Sequence, residues 1–377
     1  MYEPAEDSYL LQKYVRMLAK GNVLDVGTGS GIQAETAAEK GCRVVALDKD
    51  PEVIRVLTDK KANNNRITFI ESDLFRIPNK KNLTTFDTVI FNPPYLPSDQ
   101  KNPDPALDGG KKGYEILETF LNQVSQYLKS NGLILIVFSS LSNKEKIDEL
   151  VKANLLEAKE LESKKIAFET LYCYKIEKSP LLKELEGKGL KNIHILAKGH
   201  RSIVYKAEYQ KKKVAVKVAL ADSAIRHRIE IEKRFLNILN QKTIGPKLIA
   251  SGDKYIIMDY IEGTPLRKIR NIPKALLCKI LDQCYHLDKL GITKEEFTRP
   301  GKHIIVKGAV PVLIDFERCH YTESPKNVTQ FCQFLSKILS TDITKAAKVY
   351  KHSFGKSEYS RIKKLVIEPS RKTKVKS

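Results

Sequence analysis

The strongest constraint on the fold is an alternation of short apolar runs and helical patterns between Asn22 and Ile176. Such alternation is typical of a mostly parallel β-sheet whose strands are joined by helices. The runs that predict strands are Val23–Val26, Arg43–Leu47, Ile67–Ile70, Thr88–Phe91, Leu133–Phe138 and Tyr172–Ile176. Helices are expected at Ala5–Ala19, Ile32–Lys40, Pro51–Asn63, Tyr114–Leu128 and Lys144–Asn154. The first half of the chain therefore predicts an α/β domain.

The pattern changes after residue 178, and a length of 377 residues also favours two domains over one. Short apolar segments typical of strands surround one long helical pattern at Asp222–Asn240, and helical patterns dominate afterwards. A β-rich part with one helix, followed by a helical part, predicts a second domain of the α+β class. The expected boundaries are a first domain at 1–178, a linker of mixed charge at 179–189 and a second domain at 190–345.

The formal net charge is +21, from 66 Lys and Arg residues against 45 Asp and Glu residues. An excess of this size favours polyanionic partners such as RNA or the ribosome, although a lysine-rich chain with solvated basic faces would show the same excess. Basic residues are dense and apolar residues sparse at 346–377. We expect this segment to be a disordered basic tail.

The six cysteines are scattered and form no C-x-x-C pair. This pattern favours reduced thiols in the cytoplasm over disulfides or a zinc site. No apolar run approaches the roughly 18 residues that a membrane span needs. The acidic first residues lack the apolar core of a signal peptide, so we expect neither membrane insertion nor secretion.

A glycine-rich turn follows the first predicted strand directly. The strand ends at Asp25 and Val26, and Gly27, Gly29 and Gly31 follow before the next helix. Glycines permit a sharp turn and a close approach of the backbone to a ligand. Dinucleotide sites and plain strand-to-helix turns show similar spacing, so the turn alone leaves these alternatives open.

Two acidic residues after the next strands make the pattern more specific. Asp48 ends the second strand, where a carboxylate can accept hydrogen bonds from both hydroxyls of a ribose. Asp73 follows the third strand, in a place to hold an adenine amino group, and Leu74 is available to cover the ring. Together with the G-x-G-x-G spacing, these residues resemble the class I methyltransferases. That resemblance implies a Rossmann-like sheet and S-adenosylmethionine as the cofactor.

The fourth predicted strand leads into Asn92, Pro93, Pro94 and Tyr95. An amide or aromatic amino nitrogen is a poor nucleophile because its lone pair is delocalised. The Asn92 side-chain carbonyl and the Pro93 backbone carbonyl can each accept one N–H hydrogen and so direct the lone pair at a methyl donor. The prolines fix the backbone, and Tyr95 can pack on the planar group. A strand-ending turn that merely happens to be proline-rich is the alternative.

Four ordered motifs in the first half resemble the HemK-type glutamine methyltransferases, especially their short archaeal and eukaryotic branch. They are Tyr2–Ser8, the turn at Asp25–Gly31, Asn92–Tyr95 and Asp108–Gly110. The resemblance implies cofactor contacts from Ser8, Asp25, Gly27, Gly29, Gly31, Asp48, Asp73, Leu74 and Asn92, and catalysis by Asn92, Pro93, Pro94 and Tyr95. It implies the glutamine of the Gly-Gly-Gln motif of a translation release factor as the methyl acceptor, and a small zinc-binding activator subunit as a partner. A nucleic-acid adenine-N6 methyltransferase is the alternative, because such enzymes share the Asn-Pro-Pro-Tyr motif.

The second half contains an ordered set of segments that resembles a small protein kinase. Gly199 lies in a sparse version of a glycine-rich loop, and Lys217 lies in an apolar strand, where its ammonium can pair with phosphates. Glu230 or Glu232 of the following helix can pair with Lys217, and we favour Glu230. Asp315 stands where the Asp-Phe-Gly motif of a kinase holds magnesium.

The set is similar to the RIO-type and KEOPS-associated atypical kinases and to predicted archaeal Ser/Thr kinases, which implies binding of ATP and magnesium. It departs from the kinase pattern at three places. No His-Arg-Asp motif is present, so Glu296 is the candidate replacement for the catalytic aspartate. No asparagine stands in the second metal position, and Glu317 replaces the glycine of the metal motif. An active kinase and a nucleotide-binding pseudokinase both remain open. We therefore expect a bifunctional protein, the other alternative being a scaffold whose domains only bind ligands.

Overall fold

The computed structural model describes residues 3–60, 65–77, 85–98, 107–220, 223–339 and 342–368. The chain divides into two compact units. The first comprises residues 1–195 with 208–210, and the second comprises residues 196–207 with 211–377.

The first unit is an α/β fold. Its helices are α1 (Glu6–Leu18), α2 (Ile32–Glu39), α3 (Pro51–Lys60), α4 (Glu115–Val124), α5 (Lys144–Ala153) and α6 (Pro180–Gly187). Its strands are β1 (Asn22–Val26), β2 (Arg43–Asp48), β3 (Ile67–Glu71), β4 (Phe86–Phe91), β5 (Leu128–Ser139), β6 (Leu156–Ile166) and β7 (Glu169–Lys178). The six predicted strands all form, and the predicted α/β class is confirmed.

The seven strands form one sheet in the order β3-β2-β1-β4-β5-β7-β6. The first five strands are parallel, and β7 runs antiparallel to both β5 and β6. Val26 is in register with Leu47 on one side and with Phe91 on the other. The carboxyl ends of β1, β2 and β4 therefore lie at one edge, and the strand order reverses between β1 and β4. A reversal of this kind opens a ligand-binding crevice in parallel sheets.

The edge strand β6 was not predicted. Most of its side chains are exposed or half-buried, and its sequence from Glu157 to Lys165 is rich in charge rather than alternately apolar. Its place in the sheet comes from ladder pairing with β7 from Leu156↔Lys178 to Ile166↔Glu169. Charged residues on an edge strand also oppose pairing with other chains.

The predicted linker at 179–189 is instead largely helical. Ser179 caps α6 by accepting a hydrogen bond from the Leu182 backbone, and Leu182 and Leu185 are buried. The Lys178 ammonium, which is almost fully buried, lies 2.6 Å from the Glu186 carboxylate. The first unit accordingly extends past the predicted boundary at 178, to Ile195.

The second unit combines small sheets with helices. Its strands are β8 (Leu190–Lys198), whose first residues belong to the first unit, β9 (Ser202–Tyr209), β10 (Lys212–Ala219), β11 (Leu248–Ser251), β12 (Tyr255–Asp259), β13 (Thr264–Pro265), β14 (Ile292–Lys294), β15 (Ile304–Lys307), β16 (Val310–Leu313) and β17 (Cys319–Tyr321). Its helices are α7 (Ser223–Asn240), α8 (Lys274–Lys289), α9 (Asn327–Leu339), α10 (Thr344–Ser353) and α11 (Lys356–Ile367). The strand order β11-β12-β10-β9-β8 forms its largest sheet. A β-rich part with one helix precedes a helical part, as predicted, but the short strands β13, β14 and β17 were not predicted. The kinase-like assignment stays a prediction.

The prediction of a disordered tail at 346–377 is wrong for the described residues up to 368. Helix α11 buries Tyr359, Ile362 and Val366 in the core of the second unit. The Tyr359 hydroxyl donates to the Asp282 carboxylate of α8, and Lys363 Nζ lies 2.7 Å from the same group. An apolar residue every three or four positions is sufficient to give a helix a buried stripe. The many charged residues around this stripe made the segment look disordered in the sequence. The basic residues after 368 lie outside the described part of the chain.

Two further findings bear on the environment of the chain. All six cysteines are buried and free of disulfides. Within the described ranges, no helix is long and apolar enough to cross a membrane.

The buried stripe of α11 provides a test of its structural role. Replacing Ile362, which is fully buried, by alanine should lower the free energy of unfolding of the second unit by about 2–5 kcal/mol, because it leaves a cavity in the core. Thermal and denaturant melts of the full chain measure this. Lys364→Ala is the matched control on the exposed face of the same helix. Equal stability of the two variants would mean that α11 is not part of the core.

Candidate functional site

The glycine-rich turn joins β1 to α2 in a left-handed backbone conformation. Gly29 has φ 51°, and its N–H donates to Asp48 Oδ2 at 2.9 Å, which ties the turn to the end of β2. Gly31 has φ 83° at the start of α2, and a Cβ there would lie 3.1 Å from Leu57. The turn therefore has the shape that the sequence predicted, and Gly31 serves the packing of α2.

A cavity of about 870 Å³ opens at the carboxyl edge of the sheet. Of the predicted cofactor and catalytic residues, all but Gly31 line it: Ser8, Asp25, Gly27, Gly29, Asp48, Asp73, Leu74, Asn92, Pro93, Pro94 and Tyr95. The register of the parallel strands explains this convergence, because each group lies at or just after the carboxyl end of a strand. Ser8, from the first turns of α1, is the one exception.

The Asp48 carboxylate is held at both oxygens. Oδ2 accepts from the Gly29 N–H, and Oδ1 accepts from the Asp50 N–H at 3.0 Å. A carboxylate has about four acceptor positions, so each oxygen retains capacity for one more hydrogen bond. Two fixed acceptors with spare capacity suit a ligand that carries two adjacent hydroxyl groups.

Asp25 is a carboxyl group of a different kind, because it is buried beneath the turn. It is 1% exposed and accepts a hydrogen bond from Thr28 Oγ1 at 2.7 Å. Burial raises the pKa of Asp25 to about 7, the Thr28 hydrogen bond lowers it, and the charge of Asp48 raises it. Asp25 thus holds the turn through Thr28 and is a much weaker acid than a solvated aspartate.

Asp73 and Leu74 form the opposite wall. The Asp73 carboxylate is more than half exposed and lies 3.1 Å from Arg76. Leu74 has φ 49°, and its carbonyl accepts from the Ser72 hydroxyl at 2.9 Å. A leucine in the left-handed region costs on the order of 1 kcal/mol, and such residues concentrate at ligand sites.

The Asn92 side chain has an assigned orientation because a carboxylate faces it. Its Nδ2 donates to Asp7 Oδ2 at 3.0 Å and lies 3.4 Å from Ser8 Oγ. An acceptor-only partner requires the NH₂ group on that side. Asn92 Oδ1 is consequently turned away from Asp7, and it is buried without a hydrogen-bond partner among the residues that the structure describes. The site therefore holds a fixed, unused carbonyl acceptor.

Asp7 is a residue of this site that sequence reasoning did not single out. It lies in the Tyr2–Ser8 motif beside the predicted Ser8, and its side chain meets Asn92 across 85 positions. A second missed residue is Gln33, which also lines the cavity and whose buried Oε1 meets no hydrogen-bond partner within the described ranges. The signal for Asp7 was present in the motif, whereas nothing in the local sequence singled out Gln33.

The motif at Asp108–Gly110 is hydrogen-bonded to the segment that follows Asn92. The Gly109 N–H donates to the Leu96 carbonyl at 2.8 Å, and the Ser98 hydroxyl donates to the Asp108 carboxylate. A Cβ on Gly109 would lie 2.7 Å from the Pro94 carbonyl. Only glycine permits this approach, so the motif fixes the backbone that follows Asn92.

A second cluster of charged groups lies inside the second unit. Lys217 Nζ, on β10, lies 2.6 Å from Glu232 Oε2 of α7. The same atom is 2.9 Å from Asp315 Oδ1 and 3.0 Å from Glu317 Oε2. Burial alone lowers the pKa of Lys217, but the three carboxylates outweigh burial and raise it. These carboxylates are also the residues of the described chain that could hold a metal ion together.

The favoured pairing of Lys217 with Glu230 is wrong. Glu232 is 1% exposed and makes the pair, whereas Glu230 is about half exposed and lies 3.4 Å from Lys233. The two glutamates are two positions apart on α7 and so face different directions. Gly199, also predicted here, lies in the loop between β8 and β9, where its N–H donates to the Ser202 carbonyl at 2.9 Å.

Lys294 connects the predicted replacement base to the same cluster. Its side chain is 1% exposed, and Nζ donates to Glu296 Oε2 at 2.9 Å and to the Asp315 backbone carbonyl. His303 Nδ1 lies 3.6 Å from Asp315 Oδ2, and burial lowers the pKa of this histidine. A separate cavity of about 220 Å³ lies beside Glu295 and is not lined by Lys217 or Asp315.

Comparison with known proteins decides the identity of the first unit. Residues 6–166 match the family described as "Methyltransferase small domain". A putative protein N5-glutamine methyltransferase from Methanocaldococcus jannaschii is 42% identical over 159 residues, which cover 40% of this chain and 78% of that protein. The chain belongs to the HemK-type family of S-adenosylmethionine-dependent methyltransferases.

Two solved structures are also similar. One is the E. cuniculi complex of Mtq2 with Trm112, described as responsible for methylation of the eRF1 translation termination factor. It is 27% identical, covers 47% of this chain and 98% of that chain, and has a TM-score of 0.39. The other, the bifunctional kinase-methyltransferase WbdD, is 14% identical, covers 98% of this chain and 89% of that chain, and has a TM-score of 0.47.

The residues around the larger cavity of this methyltransferase fit S-adenosylmethionine. A cavity of about 870 Å³ accommodates a nucleoside with an amino-acid side arm. The acceptors with spare capacity on Asp48 and the unpartnered amide oxygens of Gln33 and Asn92 match a ligand rich in hydroxyl, amino and ammonium donors.

The close approach at Gly109 can be tested by adding a single methyl group. Gly109→Ala would place a Cβ 2.5 Å from the Gly113 carbonyl, so the free energy of unfolding should fall by about 1–3 kcal/mol. Displacement of the backbone after Asn92 should also lower methyl transfer more than cofactor affinity. Gly187→Ala is the control, because no atom lies within 4 Å of its added Cβ. If the two variants matched in stability and activity, the close contact of Gly109 with the Asn92 segment would not contribute to either.

Proposed function

We propose that the first unit transfers a methyl group from S-adenosylmethionine to the side-chain amide of a glutamine in a protein, the glutamine of a translation release factor. The observation that carries this proposal is the Asn92 amide. Its NH₂ group is held by Asp7, and its Oδ1 is buried with no partner in the described part of the chain. A planar acceptor amide has N–H groups that need such a carbonyl. The similarity to a relative named as a protein N5-glutamine methyltransferase supports the same acceptor.

In this proposal, Asn92 Oδ1 and the Pro93 backbone carbonyl each accept one N–H of the substrate amide. The lone pair of the nitrogen then points along the line of methyl transfer, and Tyr95 packs on the amide plane. Asp7 does not touch the reacting atoms; it positions Asn92 by accepting from its Nδ2. As the N–C bond forms, the methyl–sulfur bond breaks with its electron pair staying on sulfur, so the cofactor leaves as S-adenosylhomocysteine. The nitrogen then loses one proton to water. Catalysis of this kind depends mainly on orientation and fixed dipoles.

The cofactor contacts are proposed on the residues that line the cavity. Asp48 accepts from the ribose hydroxyls, Asp73 holds the adenine amino group, and Leu74 covers the ring. Gly27 and Gly29 allow the backbone to approach the cofactor. S-adenosylmethionine supplies the methyl group when bound.

Two partners follow from the family resemblance. The release factor is the substrate, and a small zinc-binding subunit is proposed as an activator. The predicted contact of the basic surface with RNA or the ribosome stays a prediction. An adenine amino group has the same two N–H donors as an amide. The following test must therefore distinguish a protein acceptor from a nucleic-acid acceptor.

Methyl transfer from radiolabelled S-adenosylmethionine to release factor, tRNA and DNA, measured side by side, tests the acceptor. We expect label in the release factor only. Asn92→Ala should lower turnover by about 10²-fold or more, with little change in cofactor affinity. Asp7→Ala should lower kcat in the same direction but should have almost no further effect in an Asn92→Ala background, because it acts through Asn92. Label in nucleic acid alone, or additive effects of the two substitutions, would contradict the proposal.

We also propose that the second unit binds ATP with magnesium through Lys217 and Asp315, as a kinase or as a nucleotide-binding pseudokinase. The supporting observation is that the carboxylates of Glu232 and Asp315 lie within 3.0 Å of the Lys217 ammonium. Almost a hundred residues separate Lys217 from Asp315 in the sequence. An ammonium and a carboxylate that meet in this way are suited to act on a phosphate group and its metal.

Binding of ATP to the full chain provides the test. Stabilisation by ATP in thermal-shift measurements should depend on magnesium, and Lys217→Ala or Asp315→Ala should each abolish most of it. The double variant should lose little more, because the two residues act as one unit. Lys213→Ala is the control, since Lys213 lies on the same strand in an exposed pair with Glu262. Stabilisation that survives both substitutions would remove Lys217 and Asp315 from the site.

A further inference from the structure

Two segments that differ from the kinase pattern lie next to each other in the structure. The loop at 198–205 contains one glycine and carries Arg201, and the metal motif carries Glu317 in place of glycine. Arg201 lies 4.0 Å from the Glu317 carboxylate, and Arg228 of α7 lies 3.8 Å from the same oxygen. The other oxygen of Glu317 is 3.0 Å from Lys217 Nζ. Three cationic side chains from three separate elements therefore converge on one carboxylate.

We propose that Arg201, Arg228 and Lys217 form a polyphosphate site and that Glu317 occupies it as an internal anion until the ligand displaces it. The ligand class is a nucleoside triphosphate, so the inference rests on the proposed nucleotide binding and adds two arginines and a competing carboxylate to it. Guanidinium groups attract the anionic oxygens of phosphates and carboxylates alike, and both arginines lie near Glu317 Oε1 at ion-pair distance.

The balance of charge explains why these residues occur together. Glu317 is 14% exposed, and Lys217 is already paired with Glu232 and Asp315. The Glu317 carboxylate lies within 4.0 Å of both guanidinium groups and offsets one of their two positive charges, which lowers the repulsion between them.

Arg201 also compensates for the shortage of glycines in the loop at 198–205. A glycine-rich loop brings backbone N–H groups to a phosphate, and a loop with one glycine cannot approach as closely. Arg201 is 43% exposed and projects charge from the loop instead. The loop backbone is fixed at both ends, because Gly199 N–H donates to the Ser202 carbonyl and the Leu220 N–H donates to the Arg201 carbonyl. The guanidinium is thus presented from a rigid base.

Calorimetric titration of the full chain with inorganic triphosphate, without divalent cations, tests the internal anion. Glu317→Gln keeps the shape and removes the charge, so triphosphate affinity should rise about tenfold. Arg201→Ala or Arg228→Ala in the Glu317→Gln background should cancel that gain. Lys213→Ala is the control for loss of an exposed cation on β10. An unchanged or lower affinity in Glu317→Gln would overturn the proposal.

A second titration, with ATP and magnesium, separates this proposal from the one on which it rests. If Glu317 were a metal ligand, Glu317→Gln would weaken magnesium-ATP while leaving triphosphate unchanged, and the internal-anion proposal would fail alone. If ATP showed no magnesium-dependent binding while Glu317→Gln still raised triphosphate affinity, the nucleotide proposal would fail and the anion site would stand. Absence of polyphosphate binding in every variant would overturn both. The single variant Arg201→Ala changes an exposed side chain. Its triphosphate affinity can therefore be interpreted even if substitutions at Glu317 destabilise the fold.

Discussion

The parallel register of β1, β2 and β4 is the constraint on which the first unit depends. Three strands that end level with one another bring the glycine turn, Asp48 and Asn92 to one edge, although they are far apart in the chain. The reversal of strand order between β1 and β4 keeps this edge open as a crevice. Later elements refine that arrangement: α1 brings Asp7 to Asn92, and the Asp108–Gly110 segment closes on the backbone that follows.

The second unit is organised by charge rather than by register. Lys217 is almost fully buried and is tolerated because three carboxylates surround its ammonium. Removing one partner from such a cluster leaves a buried charge without compensation, which costs more than the pair itself contributes. Glu232 adds a second link, because its other oxygen accepts from the Phe316 N–H at 3.1 Å. Strand β10, helix α7 and the segment after β16 are therefore joined through two side chains.

The sequence was most informative where structure and chemistry are local. The six apolar strands, the glycine turn and the residues after β2 and β4 were predictable because each is encoded within a few positions. The link from Asp7 to Asn92 was not, since it joins residues 85 positions apart. The choice between Glu230 and Glu232 depended on the rotation of α7 about its axis, which spacing alone does not define. Strand β6 and helix α11 were missed because ladder pairing and a narrow buried stripe outweighed their high content of charge.

The position of Asp7 in the first turn of α1 has a consequence for how this fold can be divided. A helix that precedes the first strand would ordinarily be regarded as a cover for the sheet, and removable at a cost in stability. Here its first turn holds the amide on which the proposed chemistry depends, and its Leu10 and Leu11 fill the core below. The smallest fragment that retains a correctly oriented Asn92 therefore begins before β1. Detaching α1 would remove Asp7 and Ser8 from the wall of the cavity and would leave the Asn92 amide without the carboxylate that orients it.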